Sequence, residues 1–310
     1  MSRHRYRINR QIKAASQFAG IKPETILRQA GISVRFFNDP DAALDPAQFF
    51  QIWHATETLT ENSNLGLELG RRMAHLPFGS ALVAFSCADT IRTGLDRLAL
   101  FKPLVAPVRI KHQETTAGYS LQFLPLEEGL EFCALLANYE VSFFISLCRL
   151  LTGHHVIPRA VSTISPEPGL GDYVGCKPKK SMTPEITFRH SDIDRPLISE
   201  NSEIWRGLEP ILSKRLVEID RSATIVDRVR AELMELLPSG RSTMDIVCRR
   251  LGLGRRNLQR MLSEEGTSFR KVLDDLRCEL AVSYLRNEEM RIEEVSYLLA
   301  FTDPNSFYRA

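Results

Sequence analysis

The chain has 310 residues, of which 44% are apolar and 25% are charged. This length suggests about two domains, and the composition excludes a disordered or low-complexity chain. The 40 basic residues nearly balance the 38 acidic ones, which leaves a net charge of +2. A general polycation for nucleic acid or membranes is therefore excluded, and any basic surface must be local.

The cysteines and the start of the chain indicate a cytoplasmic protein. The six cysteines are scattered and none forms a Cys-x-x-Cys pair, so we expect reduced, mostly buried thiols. Residues 1–30 lack the continuous apolar stretch of a secretory signal. Their Arg-rich, acid-poor start leaves two alternatives, a basic first helix and a transit peptide, and we favour the helix.

The chain begins with the pattern of short helices. Residues 6–37 show this pattern, with turns predicted at Gly20 and Gly31. Asp45 followed by Pro46 is typical of an N-cap and the first position of a further helix. The beginning of the chain is therefore predicted to be helical.

Strands are predicted where apolar and polar residues alternate. Val108–Ile110 and Tyr119–Phe123 show this alternation, and residues 116–118 between them suit a hairpin turn. Further strands are predicted at Val156–Ile164 and Glu185–Phe188. These strands and the preceding helices predict an α+β domain.

A long apolar segment, Leu130–Leu151, leaves two alternatives, a membrane span and a buried helix. Its apolar residues fall on helical spacing, and polar or charged residues interrupt it at Glu131, Asn138, Glu140 and Arg149. We predict a helix buried against the sheet, and no membrane partner.

The chain divides into three regions by pattern. Residues 1–200 are predicted to form an α+β domain, and residues 201–221 a helical linker. Residues 222–310 are predicted to form an all-α domain, with helix following helix and short breaks between them.

One pair of short helices in the C-terminal region has the pattern of a helix-turn-helix. Ser242 with Asp245 three residues later resembles a capping box, and Gly252 permits a tight turn at positive φ. Leu258 and Leu262 point inward on the second helix, and its outward face carries Arg255, Arg256, Gln259 and Arg260.

The second helix of a helix-turn-helix enters the major groove of DNA. Arginine can bind guanine with two hydrogen bonds and glutamine can bind adenine in the same way. Solvated arginines on an ordinary helical hairpin are the alternative. Between Arg241 and Arg277, nine basic residues stand against five acidic ones, so this unit should dominate attraction to phosphate.

The helix-turn-helix pattern occurs a second time. Ile292–Leu299 reads as a helix, residues 300–302 as a turn, and a new helix follows with Thr302 or Asp303 as its cap and Pro304 in its first turn. The repeat favours DNA binding over the alternative of an ordinary hairpin.

Residues 222–310 resemble the DNA-binding domain of the AraC/XylS family of bacterial transcription regulators. The resemblance is carried by LGRRNLQRML (residues 253–262), EGTSF (265–269), Leu276-Arg277 through Ala281 and Leu285, and AFTDPNSFYR (300–309). Residues 1–200 resemble more loosely the arabinose-binding-like effector domain of one branch of that family. The supporting stretches are LGLELG (65–70) and residues 186–197.

This resemblance implies a sequence-specific regulator, an activator by the tendency of the family, that responds to a small molecule. Its implied partners are double-stranded promoter DNA, RNA polymerase, an unknown effector and a second protomer in a homodimer. The helix Phe269–Leu285 would hold two recognition helices about one DNA turn apart. The implied DNA-binding residues are Arg255, Arg256, Asn257, Gln259, Arg260, Asn305, Tyr308 and Arg309.

The sequence departs from the family pattern in three ways. Gly254 replaces the usual serine N-cap, and Ala300 replaces the usual glycine, which matters only if φ is positive there. The sequence stops at Ala310, seven residues after Asp303. We expect a chain truncated relative to its family, with an incomplete, frayed second unit and DNA contact mainly through residues 255–260.

Enzymatic activity finds no support in the sequence, which lacks a nucleotide-binding loop, a zinc-protease motif and a nucleophile elbow. His154-His155 has no ligand residues at useful spacing and reads as a surface turn, and His54 and His75 read as core or rim histidines. We predict no metal and no cofactor. A ligand-binding or protein-interaction module with a degenerate DNA-binding half stays as the alternative function, because residues 286–310 are acidic overall.

Overall fold

The computed structural model describes residues 5–39, 42–76, 79–219, 224–285, 291–301 and 303–309. The chain divides into two compact units, the N-terminal unit Met1–Arg206 and the C-terminal unit Gly207–Ala310. The boundary between them falls inside a helix that was predicted as a linker.

The N-terminal unit opens with helices, as predicted. Gly20 and Gly31 end the first two helices at φ of 68° and 70°. Asp45 caps the third helix, because its Oδ1 accepts a hydrogen bond from the Gln48 N–H at 2.8 Å, and Pro46 is its first residue. The helices of this unit are α1 (Asn9–Ala19), α2 (Pro23–Gln29), α3 (Pro46–Leu59), α4 (Leu65–Met73), α5 (Ser80–Ser86), α6 (Ile91–Phe101), α7 (Ala134–Thr152), α8 (Leu170–Val174) and α9 (His190–Ile193).

A five-stranded sheet completes the N-terminal unit. Its strands are β1 (Val108–Thr115), β2 (Gly118–Pro125), β3 (Ala160–Thr163), β4 (Lys179–Lys180) and β5 (Glu185–Phe188). The strand order is β1-β2-β5-β3-β4, and every pairing is antiparallel except the one between β3 and β4. Tyr119, Leu121 and Phe123 on β2 are all buried, so the alternation predicted from the sequence marks the core face.

The predicted strand at Val156–Ile164 is too long, since β3 covers only Ala160–Thr163. Pro158 has no N–H to donate to a strand ladder. The carbonyl oxygen of Val156 instead accepts a hydrogen bond from Arg149 Nε at 2.9 Å. Pairing with the sheet begins only after Pro158, where the Arg159 N–H donates to the carbonyl oxygen of Thr187 on β5 at 2.7 Å.

The long apolar helix α7 is a core helix. Within the described residues it is the one helix whose length and hydropathy would suit a membrane span, but 78% of its most apolar window is buried inside the structure. The ring of Phe144 on α7 packs against the ring of Phe123 on β2, with ring centroids 5.0 Å apart. Glu140 is buried and both its carboxylate oxygens accept from Lys102 Nζ at 2.8 Å, so this charge is paired inside the core.

Two glycines let α4 lie directly against α7. A Cβ added at Gly66 would stand 2.7 Å from the carbonyl oxygen of Leu135, and one at Gly70 would meet Ser142 Oγ and the Phe143 nitrogen. No larger residue fits at this separation without moving backbone. This close approach is the physical reason for the glycines in LGLELG.

The C-terminal unit is all-α, as predicted, and its described residues contain no strand. Its helices are α10 (Ser202–Ile219, which begins in the N-terminal unit), α11 (Ile225–Leu236), α12 (Met244–Leu251), α13 (Arg255–Glu264), α14 (Phe269–Leu285), α15 (Ile292–Leu298) and α16 (Pro304–Arg309). Leu233, Val247, Leu258, Leu262 and Leu276 belong to one buried cluster from α11, α12, α13 and α14. Burying these apolar side chains against one another holds the unit together.

Short 3-10 turns lie at Val34–Asn38, Lys102–Leu104 and Leu237–Ser239. All six cysteines are free, and Cys87, Cys133, Cys148 and Cys248 are buried. The prediction of mostly buried thiols is confirmed.

Candidate nucleic-acid interface and effector cavities

The first helix-turn-helix consists of α12, a tight turn and α13. Gly252 has a φ of 65°, and the Leu253 N–H then donates to the carbonyl oxygen of Cys248 at 2.9 Å. The predicted positive φ at Gly252 is confirmed. The turn leads into α13 in the order that a recognition helix requires.

The predicted capping box at Ser242 and Asp245 is wrong. The N-cap of α12 is Thr243, and it makes no side-chain cap hydrogen bond. Because the helix begins one residue later than the box requires, Asp245 is the second helical residue and cannot pair reciprocally with Ser242. Asp245 lies 3.4 Å from Arg255 Nη1 instead.

Helix α13 has one buried and one exposed face. Leu258 and Leu262 have no exposed surface, as the spacing of four residues predicts. The predicted DNA-binding residues of this helix are all exposed, namely Arg255, Arg256, Asn257, Gln259 and Arg260. Gly254 is the N-cap and contributes no side-chain bond.

The polar side chains of α13 fall into two groups. Arg260 pairs with Glu264 and donates to Asn257 Oδ1 at 3.0 Å. Among the described residues, Arg256 and Gln259 form no side-chain hydrogen bond or ion pair. These two side chains are therefore available to an outside partner without breaking an internal contact.

The second helix-turn-helix consists of α15, a turn and α16. The Phe301 N–H donates to the carbonyl oxygen of Ser296 at 3.0 Å, and Ala300 has a φ of 56°. Within the described residues Ala300 is the one non-glycine residue at positive φ. Because φ is positive here, alanine in place of the family's usual glycine costs stability at this turn.

Asp303 caps α16. It is one of the two caps predicted from the sequence, and the other, Thr302, lies outside the described residues. Asp303 Oδ1 accepts from the Ser306 N–H at 3.0 Å, and Oδ2 accepts from Ser306 Oγ at 2.6 Å. These bonds hold the pKa of Asp303 below its usual range. The ring of Phe307 packs on Phe301 with centroids 5.5 Å apart.

The three residues predicted to bind DNA from α16 are exposed. They are Asn305, Tyr308 and Arg309. Arg309 Nη2 donates to Ser306 Oγ at 3.4 Å. The expectation that DNA contact rests mainly on α13 stays a prediction.

Two arginines counted as phosphate attractors have internal roles. Arg277 on α14 donates from Nε to the carbonyl oxygen of Leu299 at 2.9 Å, and its guanidinium lies 4.4 Å from the ring centre of Phe301. Arg250 lies 2.9 Å from Glu235 and 3.2 Å from Glu232. The basic surplus of the first unit is therefore smaller at the surface than the count suggests.

Glu265 has a role that local pattern did not reveal. Its carboxylate accepts from the N–H groups of Ile225 at 2.9 Å and Val226 at 3.2 Å. It therefore caps the N-terminus of α11, where a negative charge is favourable. The available sequence signal was the position of Glu265, the first residue of EGTSF, directly after α13.

Comparison with known proteins supports the fold and identifies the family. A family model for the N-terminal arabinose-binding domain of AraC transcription regulators matches residues 20–197, and a helix-turn-helix domain model matches residues 247–310. The chain is 40% identical to the HTH-type transcriptional regulator Rv1395 of Mycobacterium tuberculosis over 99% of this chain and 92% of that protein. The chain belongs to the AraC family of transcription regulators.

Two further similarities come from Pseudomonas aeruginosa. The ornithine utilization regulator is 23% identical over 94% of this chain and 87% of that protein. The crystal structure of the transcriptional regulator CdpR has a TM-score of 0.55 at 19% identity, over 97% of this chain and 92% of that one, which is a likeness of fold. The resemblance found in the sequence is confirmed, and this AraC-family chain is a DNA-binding transcription regulator with an effector domain that responds to a small molecule.

The effector domain of this AraC-family chain contains a cavity of about 500 Å³ with a basic lining. The guanidinium carbons of Arg71 and Arg149 lie 5.0 Å and 4.7 Å from the ring centre of Tyr173. His75 and His155 also line this cavity, together with the acidic Asp172.

His54 and His75 were predicted to be core or rim histidines. Both are exposed, so the core alternative is wrong. Helical geometry turns His54 outward although Ile52 and Ala55 beside it are buried. His154 and His155 are exposed in the segment after α7, as predicted.

A second cavity, of about 400 Å³, lies between the end of α3, the start of α7 and the segment before α8. We call it the acidic cavity, because its lining includes Glu57, Glu61 and Glu167. Burial raises the pKa of Glu167 to about 7, although two backbone N–H groups bond to its carboxylate.

One group of three described residues, His54, Glu57 and Cys133, has ligand atoms within 4.8 Å of one another. Cys133 Sγ caps α7 by accepting from the Leu136 N–H at 3.5 Å. Burial raises the pKa of the Cys133 thiol to about 12. The thiolate is the form that coordinates a metal, so a metal bound here would release the thiol proton.

Proposed function

We propose that the chain binds promoter DNA by inserting α13 into the major groove. Arg256 and Gln259 would read base edges, because arginine matches guanine and glutamine matches adenine with paired hydrogen bonds. The observation that carries this proposal is that both side chains are exposed and have no partner among the described residues, whereas Leu258 and Leu262 of the same helix are buried.

The paired residues of α13 have a second role in this proposal. Arg260 must leave Glu264 to reach a base or phosphate, and Asn257 would be released with it. Arg255 is the first residue of α13 and would contact the phosphate backbone of the DNA. Binding at this helix therefore exchanges weak internal pairs for contacts with DNA.

Helix α16 would enter a second major groove. Asn305, Tyr308 and Arg309 are exposed on it, and α14 connects the two helix-turn-helix units along the chain. One chain would then read an asymmetric site in two parts about one turn of DNA apart. Contact through α13 is expected to contribute more, because α16 is short.

We further propose how the regulator acts. The N-terminal unit would bind a small-molecule effector or a second protomer and change how the C-terminal unit meets DNA and RNA polymerase, with activation as the outcome. The chain would act in the cytoplasm without catalysing a reaction. The buried thiols and the catalytic motifs missing from the sequence support these two points.

Gel-shift titration over a series of salt concentrations tests DNA binding. The full chain is titrated onto promoter fragments of the genes that flank its own gene, and onto random DNA of equal length. We expect at least one promoter fragment to bind more tightly than random DNA by roughly 10³-fold or more, with affinity falling as salt rises. Equal affinity for all fragments would favour the alternative of an interaction module with a degenerate DNA-binding half.

A further inference from the structure

Three side chains with different donor atoms converge beside the first turn of α7. His54 and Glu57 lie three positions apart on α3 and therefore share one side of that helix. Cys133 is the N-cap of α7. The ligand atoms of these three residues lie within 4.8 Å of one another, and we call them the His-Glu-Cys group. The sequence did not reveal this group, because Cys133 comes from a distant segment.

Aromatic packing holds the helix α3 against the start of α7. The ring of Phe50 packs against that of Phe132, with centroids 5.7 Å apart. The ring of Trp53 packs against that of Tyr139, with centroids 4.8 Å apart. One ring of each pair is adjacent in the chain to a member of the His-Glu-Cys group, so the backbone that carries the ligands is fixed. Ligands on packed helices are positioned more precisely than ligands on loops.

Backbone N–H groups of α7 orient two members of the group. Glu57 Oε1 accepts from the Leu135 N–H at 2.8 Å, and Cys133 Sγ accepts from the Leu136 N–H at 3.5 Å. Such bonds at the start of a helix stabilise a carboxylate and a thiolate. Among the described residues nothing donates to Glu57 Oε2, and a thiolate sulfur can accept an N–H and bind a metal together. Coordination would therefore leave both bonds in place.

His54 is the member that capping of α7 does not explain. It is exposed, and its ring makes no hydrogen bond or ion pair with another described residue. A purely structural role for the group accounts for Glu57 and Cys133, which bond to N–H groups, but not for an imidazole beside them. Imidazole, carboxylate and thiolate are together the three ligand types of protein-bound zinc.

The geometry of the group is close to that of a zinc site. Zinc bonds of about 2.0 Å to nitrogen or oxygen and about 2.3 Å to sulfur place tetrahedral ligand atoms about 3.3–3.5 Å apart. Each pair of ligand atoms would therefore approach by at most about 1.5 Å. Rotation of the exposed His54 and half-buried Glu57 side chains supplies such a change. The charges of one thiolate and one carboxylate balance those of a divalent ion.

We propose that His54, Glu57 and Cys133 bind one Zn²⁺ ion, with solvent in the fourth coordination position. Three protein ligands with an open fourth position are typical of zinc sites that exchange a ligand. The mixed nitrogen, oxygen and sulfur donors disfavour Mg²⁺ and Ca²⁺, which prefer oxygen. The site lies within the N-terminal unit, and its occupation does not rest on the proposed DNA binding.

Cobalt(II) is the spectroscopic probe, because it accepts the same ligand types as zinc and gives a coloured complex. The full chain is reduced, stripped with a chelator and titrated with cobalt chloride. We expect a thiolate-to-cobalt charge-transfer band in the near ultraviolet that saturates at one equivalent. Zinc chloride should remove the band, because zinc binds such sites more tightly than cobalt, and magnesium chloride should leave it unchanged.

Variants locate the metal. Cys133→Ser should abolish the charge-transfer band and should still fold, because serine is a preferred N-cap. His54→Ala and Glu57→Gln should each weaken zinc binding at least tenfold in competition with a chromophoric chelator. Cys278→Ser and His154→Ala replace exposed residues of the same types outside the group, and they should change neither measurement.

Three results would overturn the proposal. They are the absence of a charge-transfer band, a band that survives in Cys133→Ser, and a zinc affinity that His54→Ala leaves unchanged. Circular dichroism separates loss of metal from loss of fold, and if Glu57→Gln does not fold, the variant of the exposed His54 decides. None of these measurements involves DNA, so a failure of the proposed function would leave them unchanged.

Discussion

The guanidinium of Arg277 donates a hydrogen bond from Nη2 to the carbonyl oxygen of Ala300 over 2.9 Å. Arg277 belongs to α14 and Ala300 to the turn of the second helix-turn-helix, so this bond joins the connecting helix to the unit that follows it. The side chain of Arg277 is only 18% exposed. Its guanidinium therefore stabilises the turn of the second helix-turn-helix and is little available to a partner at the surface.

Replacing Arg277 with methionine should loosen the second helix-turn-helix. The change removes charge-assisted hydrogen bonds to two carbonyl oxygens and leaves those oxygens unpaired, a loss of about 2–3 kcal/mol. Hydrogen exchange of residues 291–301 should become faster than in the wild type. Arg270→Met on the same helix is the control, since Arg270 is 92% exposed, and equal exchange in both variants would contradict this role.

Replacing Ala300 with glycine should stabilise the C-terminal unit. An L-residue in the left-handed region costs roughly 1–2 kcal/mol, whereas the partly buried methyl group contributes less than about 0.8 kcal/mol. We expect a net gain of about 0.5 kcal/mol, measured as a higher denaturation midpoint. Ala281→Gly inside α14 is the matched control and should cost up to about 1 kcal/mol. A lower midpoint for Ala300→Gly would show that methyl packing exceeds strain.

Replacing Glu264 with glutamine should strengthen DNA binding. In the free chain Glu264 pairs with Arg260, and both side chains are more than half exposed. Such a pair is worth about 0.5 kcal/mol or less, so releasing Arg260 should raise DNA affinity by about twofold at low salt. Fluorescence anisotropy with Glu203→Gln as a charge-matched control measures this difference. Unchanged or reduced affinity would remove Arg260 from the interface.

The contribution of Glu167 to the stability of the N-terminal unit should fall as pH rises toward neutrality. Burial raises the pKa of Glu167 from 4.5 to about 7 in the folded chain. The stabilising effect of the protonated form is complete below pH of about 4.5 and is lost as pH rises through about 7. Melting midpoints recorded across this range should decline less steeply in Glu167→Gln than in Glu128→Gln. Parallel profiles would contradict a raised pKa.

Local periodicity predicted much of the DNA-binding region. The spacing of Leu258 and Leu262, together with glycine before the helix, was sufficient to place α13 and its exposed arginines. These signals lie within one turn or two of helix, where backbone geometry fixes which side chains share a face. Asp45 and Pro46 gave the start of α3 for the same reason.

Contacts between distant segments were not predictable in this way. Arg277 looked like a phosphate ligand because its acceptors on the following turn are set by tertiary packing. The acidic cavity brings Glu57, Asn138 and Glu167 together from three separate segments. His54 has apolar neighbours in sequence but points outward, since neighbours along a helix lie on different faces.

The central claim is that α13 reads bases, and the most direct test is the affinity of Arg256→Ala for operator and for random DNA. Fluorescence anisotropy at one fixed salt concentration gives both dissociation constants, with Lys180→Ala as a control that removes one exposed positive charge elsewhere. We predict that Arg256→Ala loses about 1–3 kcal/mol on the operator, roughly 5- to 150-fold, and much less on random DNA. Equal losses on both DNAs would show that Arg256 touches only phosphate and would contradict base reading by this helix.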